Sequence, residues 1–193
     1  PDFVQALYNR GSVLLDLNLN ARAIADFEAA LAQRPDYAEA AHNLGLGLRM
    51  LRGPEAALEC FERALALRPD YPDALSSKGL VLGELGRYAE AAVVFAEVLR
   101  VEPRYGYTLG ALLNAKLREC DWSTFEADLA AIRAGIAERR RVTAPFVLLA
   151  SVDDPALQLQ CARILVANDY PVAAVPLWEG KRYEELKQTQ PRI

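Results

Sequence analysis

The stretch PDYAEAAHNLGLGLRMLRGPEAALECFERALALRP, residues 35–69, decides the fold because its pattern occurs three times in the chain. Glycine, alanine, phenylalanine and proline keep one fixed spacing in every copy. They stand at Gly11, Ala23, Phe27 and Pro35, then at Gly45, Ala57, Phe61 and Pro69, then at Gly79, Ala91, Phe95 and Pro103. A period of thirty-four residues held in register over three copies indicates an array of stacked repeats.

Each copy is predicted to form two helices. In the middle copy, apolar residues recur at helical spacing over 38–51 and again over 55–68, with Gly53-Pro54 between them. A glycine inside a helix costs about 1 kcal/mol relative to alanine. Gly45 therefore indicates a point at which a neighbouring helix comes close, and Phe61 is expected to fill the core beneath it.

The chain resembles the tetratricopeptide repeat (TPR) family over residues 1–105. The resemblance rests on Ala41-x2-Leu44-Gly45-x2-Leu48, Ala57-x3-Phe61 and Pro69. It implies an all-α fold, a right-handed α-solenoid of helical hairpins with a helical C-terminal cap and an extended tail. We expect three repeats at 4–37, 38–71 and 72–105. Because Pro1 aligns with Pro35, we also expect that the chain was cut from a longer protein.

The remaining chain is predicted to close the array. Residues 106–140 are interpreted as a degenerate fourth repeat or capping pair, with helices over 107–119 and 124–139. Ser123-x-x-Glu126 is typical of a capping box at the start of the second of these helices. Residues 141–193 are interpreted as a helical connector, with a short helix over 145–151 and a second helix over 156–168, followed by the tail. Asp154-Pro155 is typical of an N-cap followed by a first-position proline at the start of that second helix. Cys120 and Trp122 are expected to be buried.

This second segment carries a further resemblance. Cys120-Asp121-Trp122, the APFVLL run at 144–149, the DDPALQ run at 153–158 and PLWxGxRY at 176–183 follow one another in order. Together they are similar to the connector of bacterial O-linked N-acetylglucosamine transferase (SPINDLY-like) proteins. In that family the connector joins the repeats to a nucleotide-sugar transferase domain. The resemblance implies that this chain is the non-catalytic half.

Composition excludes several classes of function. The formal charge of −4 and a pI near 5.2 argue against a nucleic-acid or anionic-membrane surface, and Arg139-Arg140-Arg141 is too short a cluster to change that. No apolar run has the length of a membrane span. The three cysteines have no metal-binding spacing, which favours a reducing compartment, the cytoplasm. With a single histidine and no phosphate-binding loop, we expect no catalysis, cofactor or metal.

What remains is a surface, the inner wall formed by the first helices of the hairpins. The candidate residues are Gln5, Tyr8, Asn9, Ser12, Glu39, His42, Asn43, Leu46, Arg49, Asp73, Ser76 and Ser77, with Met50 and Leu80 beside them. His42 is interpreted either as an exposed groove residue or as a packing residue between helices.

Asn9 and Asn43 share one repeat position. A carboxamide both donates and accepts, so asparagines one repeat apart can hold the backbone of an extended peptide. Transferases of the resembling family hold protein substrates with such a ladder. Here it has two rungs, because the next matching positions are Ser77 and Ala111. Alternatively, both asparagines bond only to groups of their own helices or turns.

The sequence therefore predicts a non-catalytic module that binds a protein or an extended peptide. We interpret it as the substrate-recruiting part of an O-GlcNAc-transferase-like protein. The alternative is a stand-alone scaffold or adaptor that mediates protein–protein assembly. A homodimer is compatible with either interpretation.

Overall fold

The computed structural model describes residues 2–170, and this part of the chain is all helical, with ten helices and no strand. The helices are α1 (Asp2–Asp16), α2 (Asn20–Gln33), α3 (Ala38–Arg52), α4 (Pro54–Leu67), α5 (Pro72–Glu84), α6 (Tyr88–Val101), α7 (Thr108–Arg118), α8 (Phe125–Ala137), α9 (Pro145–Ser151) and α10 (Pro155–Asp169). The predicted all-α solenoid is confirmed. The predicted extended tail lies outside the described residues.

The first six helices form three stacked hairpins. Each helix packs on the next in the chain, and α1, α3, α5 and α7 also contact one another from hairpin to hairpin. Turns with special backbone geometry separate the helices. Gly53 adopts a φ of +96° between α3 and α4, where only glycine is unstrained, and Pro54 occupies the first turn of α4.

The repeated glycines allow close packing within each hairpin, as the sequence predicted. A Cβ added at Gly11, Gly45 or Gly79 would lie 2.6–2.8 Å from the nearest atom of a phenylalanine ring on the second helix. Phe61, the ring partner of Gly45, is completely buried, and so is Ala57. The glycine that weakens the isolated helix therefore lets a buried ring lie directly against its backbone.

The fourth unit is built differently. The repeat positions that hold glycine and phenylalanine in the first three copies hold Leu113 and Leu129 here. In addition, α8 packs less extensively on α7 than α6 packs on α5. Leu113 is completely buried, in a separate core that α8, α9 and α10 complete. Residues 141–143 run along the start of α7, where Gly110 N donates to Val142 O at 2.9 Å.

The start of α10 follows the sequence prediction, whereas the start of α8 does not. Asp154 caps α10 by accepting a hydrogen bond from Leu157 N at 3.0 Å. The capping box predicted from Ser123 is wrong, because α8 begins at Phe125 and no side chain caps it.

The predicted burial of Cys120 and Trp122 is also wrong. Cys120 is exposed at the end of α7 with a positive φ of 56°. Trp122 is 60% exposed and contacts the edge of Phe125 in the turn before α8. Both residues lie outside the packed interface because Leu113 directs the core of this unit toward α9 and α10 instead.

Candidate binding surface

The first helices of the hairpins form one continuous wall. Because α1, α3, α5 and α7 contact one another in sequence, their outward faces line up on the inner side of the array. All twelve residues predicted from the sequence are on α1, α3 and α5. Gln5, Asn9 and Asp73 are exposed, and His42 is buried. The others are half-buried, namely Tyr8, Ser12, Glu39, Asn43, Leu46, Arg49, Ser76 and Ser77.

The two asparagines of the predicted ladder differ in environment. Asn9 is exposed and its Oδ1 accepts a hydrogen bond from Gln5 Nε2 at 2.9 Å, one turn earlier on α1. The Asn43 amide instead reaches the neighbouring hairpin, donating to Tyr8 Oη and to Ser12 Oγ, each at 3.3 Å. Asn43 therefore ties α3 to α1, while Asn9 remains accessible to a visiting chain.

His42 is a packing residue between hairpins, and its interpretation as an exposed groove residue is wrong. It is 6% exposed, lies between the rings of Phe61 and Tyr71, and shares a hydrogen bond between Nε2 and Ser77 Oγ at 3.0 Å. Burial lowers the pKa of His42 below its ordinary 6.5, against the opposing effect of Asp73. Burial thus favours the neutral imidazole in the folded protein.

Polar contacts also define the edge of the wall near the turns between hairpins. Glu39 pairs with Arg68 at 2.8 Å, and the Arg68 guanidinium lies 3.6 Å from the centre of the Tyr71 ring. Burial raises the pKa of Tyr71 to about 12. One repeat later, Tyr105 donates to the carboxylate of Asp73 at 2.6 Å. The acidic groups on this edge are therefore engaged within the array.

Apolar side chains occupy the middle of the wall. Leu46 is half-buried, whereas Met50 and Leu80 are 66% and 45% exposed. Leu46 and Leu80 hold one repeat position, so they form a short stripe along the array. An inner surface that combines the accessible amide of Asn9 with exposed aliphatic side chains can contact both the backbone and the side chains of an extended segment.

Sequence reasoning missed the C-terminal end of this surface, which Asn114, Arg118 and Phe146 form beside Leu80. Asn114 and Arg118 could have been found by extending the thirty-four-residue register from Leu80 and Glu84 into α7. Phe146 lies on α9, outside the repeats, and no periodicity in the sequence signals its place.

Other classes of site are not seen in the part of the chain that the structure describes. Between residues 2 and 170, no three histidine, cysteine or acidic side chains come together as a metal-binding group. None of the described helices combines the length and apolarity needed to cross a membrane.

Comparison with solved structures supports the fold. The crystal structure of MamA is 25% identical, covers 66% of this chain and 77% of its own, and gives a TM-score of 0.60. A double mutant of MamA RS-1 is 18% identical over 86% of this chain and 94% of its own, with a TM-score of 0.64. The first TPR domain of Spaghetti (RPAP3), bound to the HSP90 peptide SRMEEVD, is 19% identical over 62% of this chain and 94% of its own, with a TM-score of 0.60.

The family model for the tetratricopeptide repeat matches residues 8–51 and 42–105, together just over half of the chain. No curated protein matches the chain. The chain belongs to the tetratricopeptide repeat family.

Proposed function

We propose that this protein is a non-catalytic module that binds an extended segment of another protein along the wall of α1, α3, α5 and α7. The observation that carries the proposal is the row of accessible side chains on successive first helices, with Asn9, Met50 and Leu80 among its exposed members. The RPAP3 domain, with which this chain shares the fold, binds a peptide, which supports the proposal.

Peptide selection tests the proposal. We expect a displayed library of random peptides to yield binders, whose affinity falls about fivefold or more in Met50→Asp or Leu80→Asp, the loss of about 1 kcal/mol from one interface side chain. Val93→Asp is the matched control, because Val93 is 71% exposed on the outer helix α6. Binders that lose affinity only in Val93→Asp would contradict the proposal.

We further infer that this module recruits protein substrates for an O-GlcNAc-transferase-like enzyme in the cytoplasm. The support is the sequence resemblance over residues 106–183. The reading frame that encodes the chain provides the test, because a nucleotide-sugar transferase domain beyond residue 193 is required. A frame without such a domain would leave the chain as a stand-alone adaptor.

This chain by itself is expected to transfer no sugar. Incubation with UDP-N-acetylglucosamine and candidate acceptor proteins, followed by intact-mass measurement, should show no added hexosamine. Measurable transfer would contradict the non-catalytic assignment.

A further inference from the structure

The side-chain contacts between neighbouring first helices change between α5 and α7. Between α3 and α5, side chains bridge the two helices directly. His42 Nε2 and Ser77 Oγ are 3.0 Å apart, and Arg49 forms a two-pronged ion pair with Glu84, in which Nε donates to Oε2 at 3.1 Å. These bridges close the space between the two helices, and the ion pair neutralises the charges of Arg49 and Glu84.

One repeat later the same bridges cannot form. Thirty-four residues on, the positions of His42 and Ser77 hold Ser76 and Ala111. The positions of Arg49 and Glu84 hold Gly83 and Arg118. Neither alanine nor glycine has a polar side chain, so each pair has lost one of its two partners. A Cβ added at Gly83 would meet nothing within 4 Å, which shows that the place of the missing side chain is open space.

A cleft of about 400 Å³ lies at this point, between α5 and α7. Its apolar lining includes Leu80 on α5, Ala111 on α7, and Phe146 and Val147 on α9. Leu80 is 45% exposed and Phe146 is 79% exposed, so both rims of the cleft offer apolar surface to solvent. Exposed aromatic and aliphatic side chains around a cleft are typical anchoring sites for a partner's side chain.

Glu84 and Arg118 are the charged residues in the lining of this cleft, and Glu84 is already paired with Arg49. The Arg118 guanidinium donates to Tyr88 Oη at 2.7 Å and lies 4.8 Å from the centre of that ring. Between residues 2 and 170, no carboxylate lies within salt-bridge distance of Arg118, whereas Arg49 on α3 is paired with Glu84. The cation is therefore oriented by a neutral group, and its charge is available to a bound anion.

We propose that this cleft anchors an extended peptide through one large apolar side chain and an adjacent carboxylate, which pairs with Arg118. This assignment rests on the proposed function and states which chemistry the partner carries. A peptide with a basic residue at the same place is disfavoured, because it would bring a second cation to Arg118. The carboxylate of an Asp or Glu side chain meets the requirement.

A peptide series tests both parts of the assignment. The probe is a short Gly/Ser peptide with blocked termini that carries one Phe followed by one Asp, titrated by fluorescence anisotropy. Replacing its Asp by Asn should weaken binding about threefold to fivefold, the range of an exposed ion pair. Replacing its Phe by Ser should weaken binding about tenfold. Equal binding by the Asp and Asn peptides, or no binding of the Phe–Asp peptide, would overturn the assignment.

Variants of the protein assign the effect to the cleft. Arg118→Gln should remove the difference between the Asp and Asn peptides, and Arg22→Gln, an exposed arginine on the outer helix α2, should leave it unchanged. Gly83→Glu should also remove the difference, because it supplies Arg118 with an internal carboxylate, as Glu84 does for Arg49. Gly83→Gln is its uncharged control and should keep the difference. Loss of the difference in both Gly83 variants would contradict the charge assignment.

Failure here is distinguishable from failure of the proposed function. If library-selected peptides lose affinity in Met50→Asp but bind equally well to Arg118→Gln, the wall binds peptides and the anchor at Arg118 is wrong. If selected peptides respond only to Val93→Asp, the proposed function itself is wrong, and the anchor with it.

Discussion

The three regular hairpins and the fourth unit use the same helical plan with opposite choices of residue size. In the regular hairpins a glycine on the first helix accepts a phenylalanine ring from the second, as Gly45 accepts Phe61. In the fourth unit the corresponding positions hold Leu113 and Leu129. The leucine side chain prevents a ring from packing directly against the helix backbone. As a result, α8 packs less closely on α7, and the core of this unit extends to α9 and α10.

This difference accounts for the opening of the inner wall beside the fourth unit. Neighbouring first helices of the regular hairpins are joined by a polar pair at one register position, Tyr8 with Asn43 and then His42 with Ser77. The fourth unit has neither such a pair nor the glycine, because the corresponding positions hold Ala111 and Leu113. Changes at a few register positions thus distinguish a regular hairpin from the fourth unit, which has a cleft beside it.

The largest expected effect is on the regular hairpins. Phe61→Ala should reduce the free energy of unfolding by about 3–5 kcal/mol, because a completely buried aromatic ring is lost and a cavity is left. Urea unfolding measures this, with Val93→Ala on the exposed face of α6 as control. A loss below about 1 kcal/mol would show that the Phe61 ring does not hold the hairpin together.

Glycine variants test whether the regular hairpins and the fourth unit pack differently. Gly45→Ala should cost about 1–3 kcal/mol, because its Cβ would lie 2.6 Å from the Phe61 ring. Gly110→Ala should cost at least as much but act on the fourth unit, because the Cβ would overlap the Thr143 side chain and lie 2.7 Å from its backbone Cα. Gly83→Ala, with open space around it, is the control and should not destabilise.

Hydrogen exchange separates the two glycine effects. Gly45→Ala should raise amide exchange in α3 and α4, whereas Gly110→Ala should raise it in α7 and in residues 141–143. The same exchange pattern in both variants would show that the two regions do not differ in how they pack.

Helix capping provides a smaller contrast between the starts of α8 and α10. Asp154→Ala should cost about 1 kcal/mol, because it removes the hydrogen bond to Leu157 N at the start of α10. Ser123→Ala should change the free energy of unfolding by less than about 0.5 kcal/mol, since Ser123 caps no helix. Equal losses of unfolding free energy in the two variants would indicate that Ser123 does cap α8.

The smallest expected effect concerns pH and the regular hairpins. Because burial lowers the pKa of His42 below 6.5, the unfolded chain takes up a proton more readily than the folded chain. The contribution of His42 to the free energy of unfolding is therefore fully present above pH 6.5. It is lost progressively as the pH falls toward the pKa of His42 in the folded state. The urea concentration at the unfolding midpoint should therefore decrease as the pH is lowered from about 7.5 to about 5.5.

The chain has a single histidine, so this pH effect has a clean control. His42→Gln should remove most of the decrease in urea midpoint over the same pH range. An unchanged decrease in that variant would assign the pH dependence to other groups.

Local patterns account for what could be predicted from the sequence. The six helices of the regular hairpins follow from periodicity and turn residues, and the middle pair, predicted over 38–51 and 55–68, is observed at Ala38–Arg52 and Pro54–Leu67. The helix over 145–151 and the cap at Asp154 follow from proline and aspartate at a helix start. These features depend on neighbours in the sequence, which is why they can be recognised there.

Features that depend on contacts between units could not be predicted in the same way. His42 is buried because Ser77 and Tyr71 of the following hairpin enclose it. Trp122 is exposed because α8 does not pack closely on α7. Which residues face the inner wall is a matter of register, but which remain accessible is decided by the neighbouring unit.

The proposed position of the partner segment along the inner wall can be mapped by an NMR titration of the ¹⁵N-labelled protein with a library-selected peptide. We expect the largest amide shift changes in α1, α3, α5 and α7. Changes confined to the outer helices α2, α4 and α6 would contradict the proposed position.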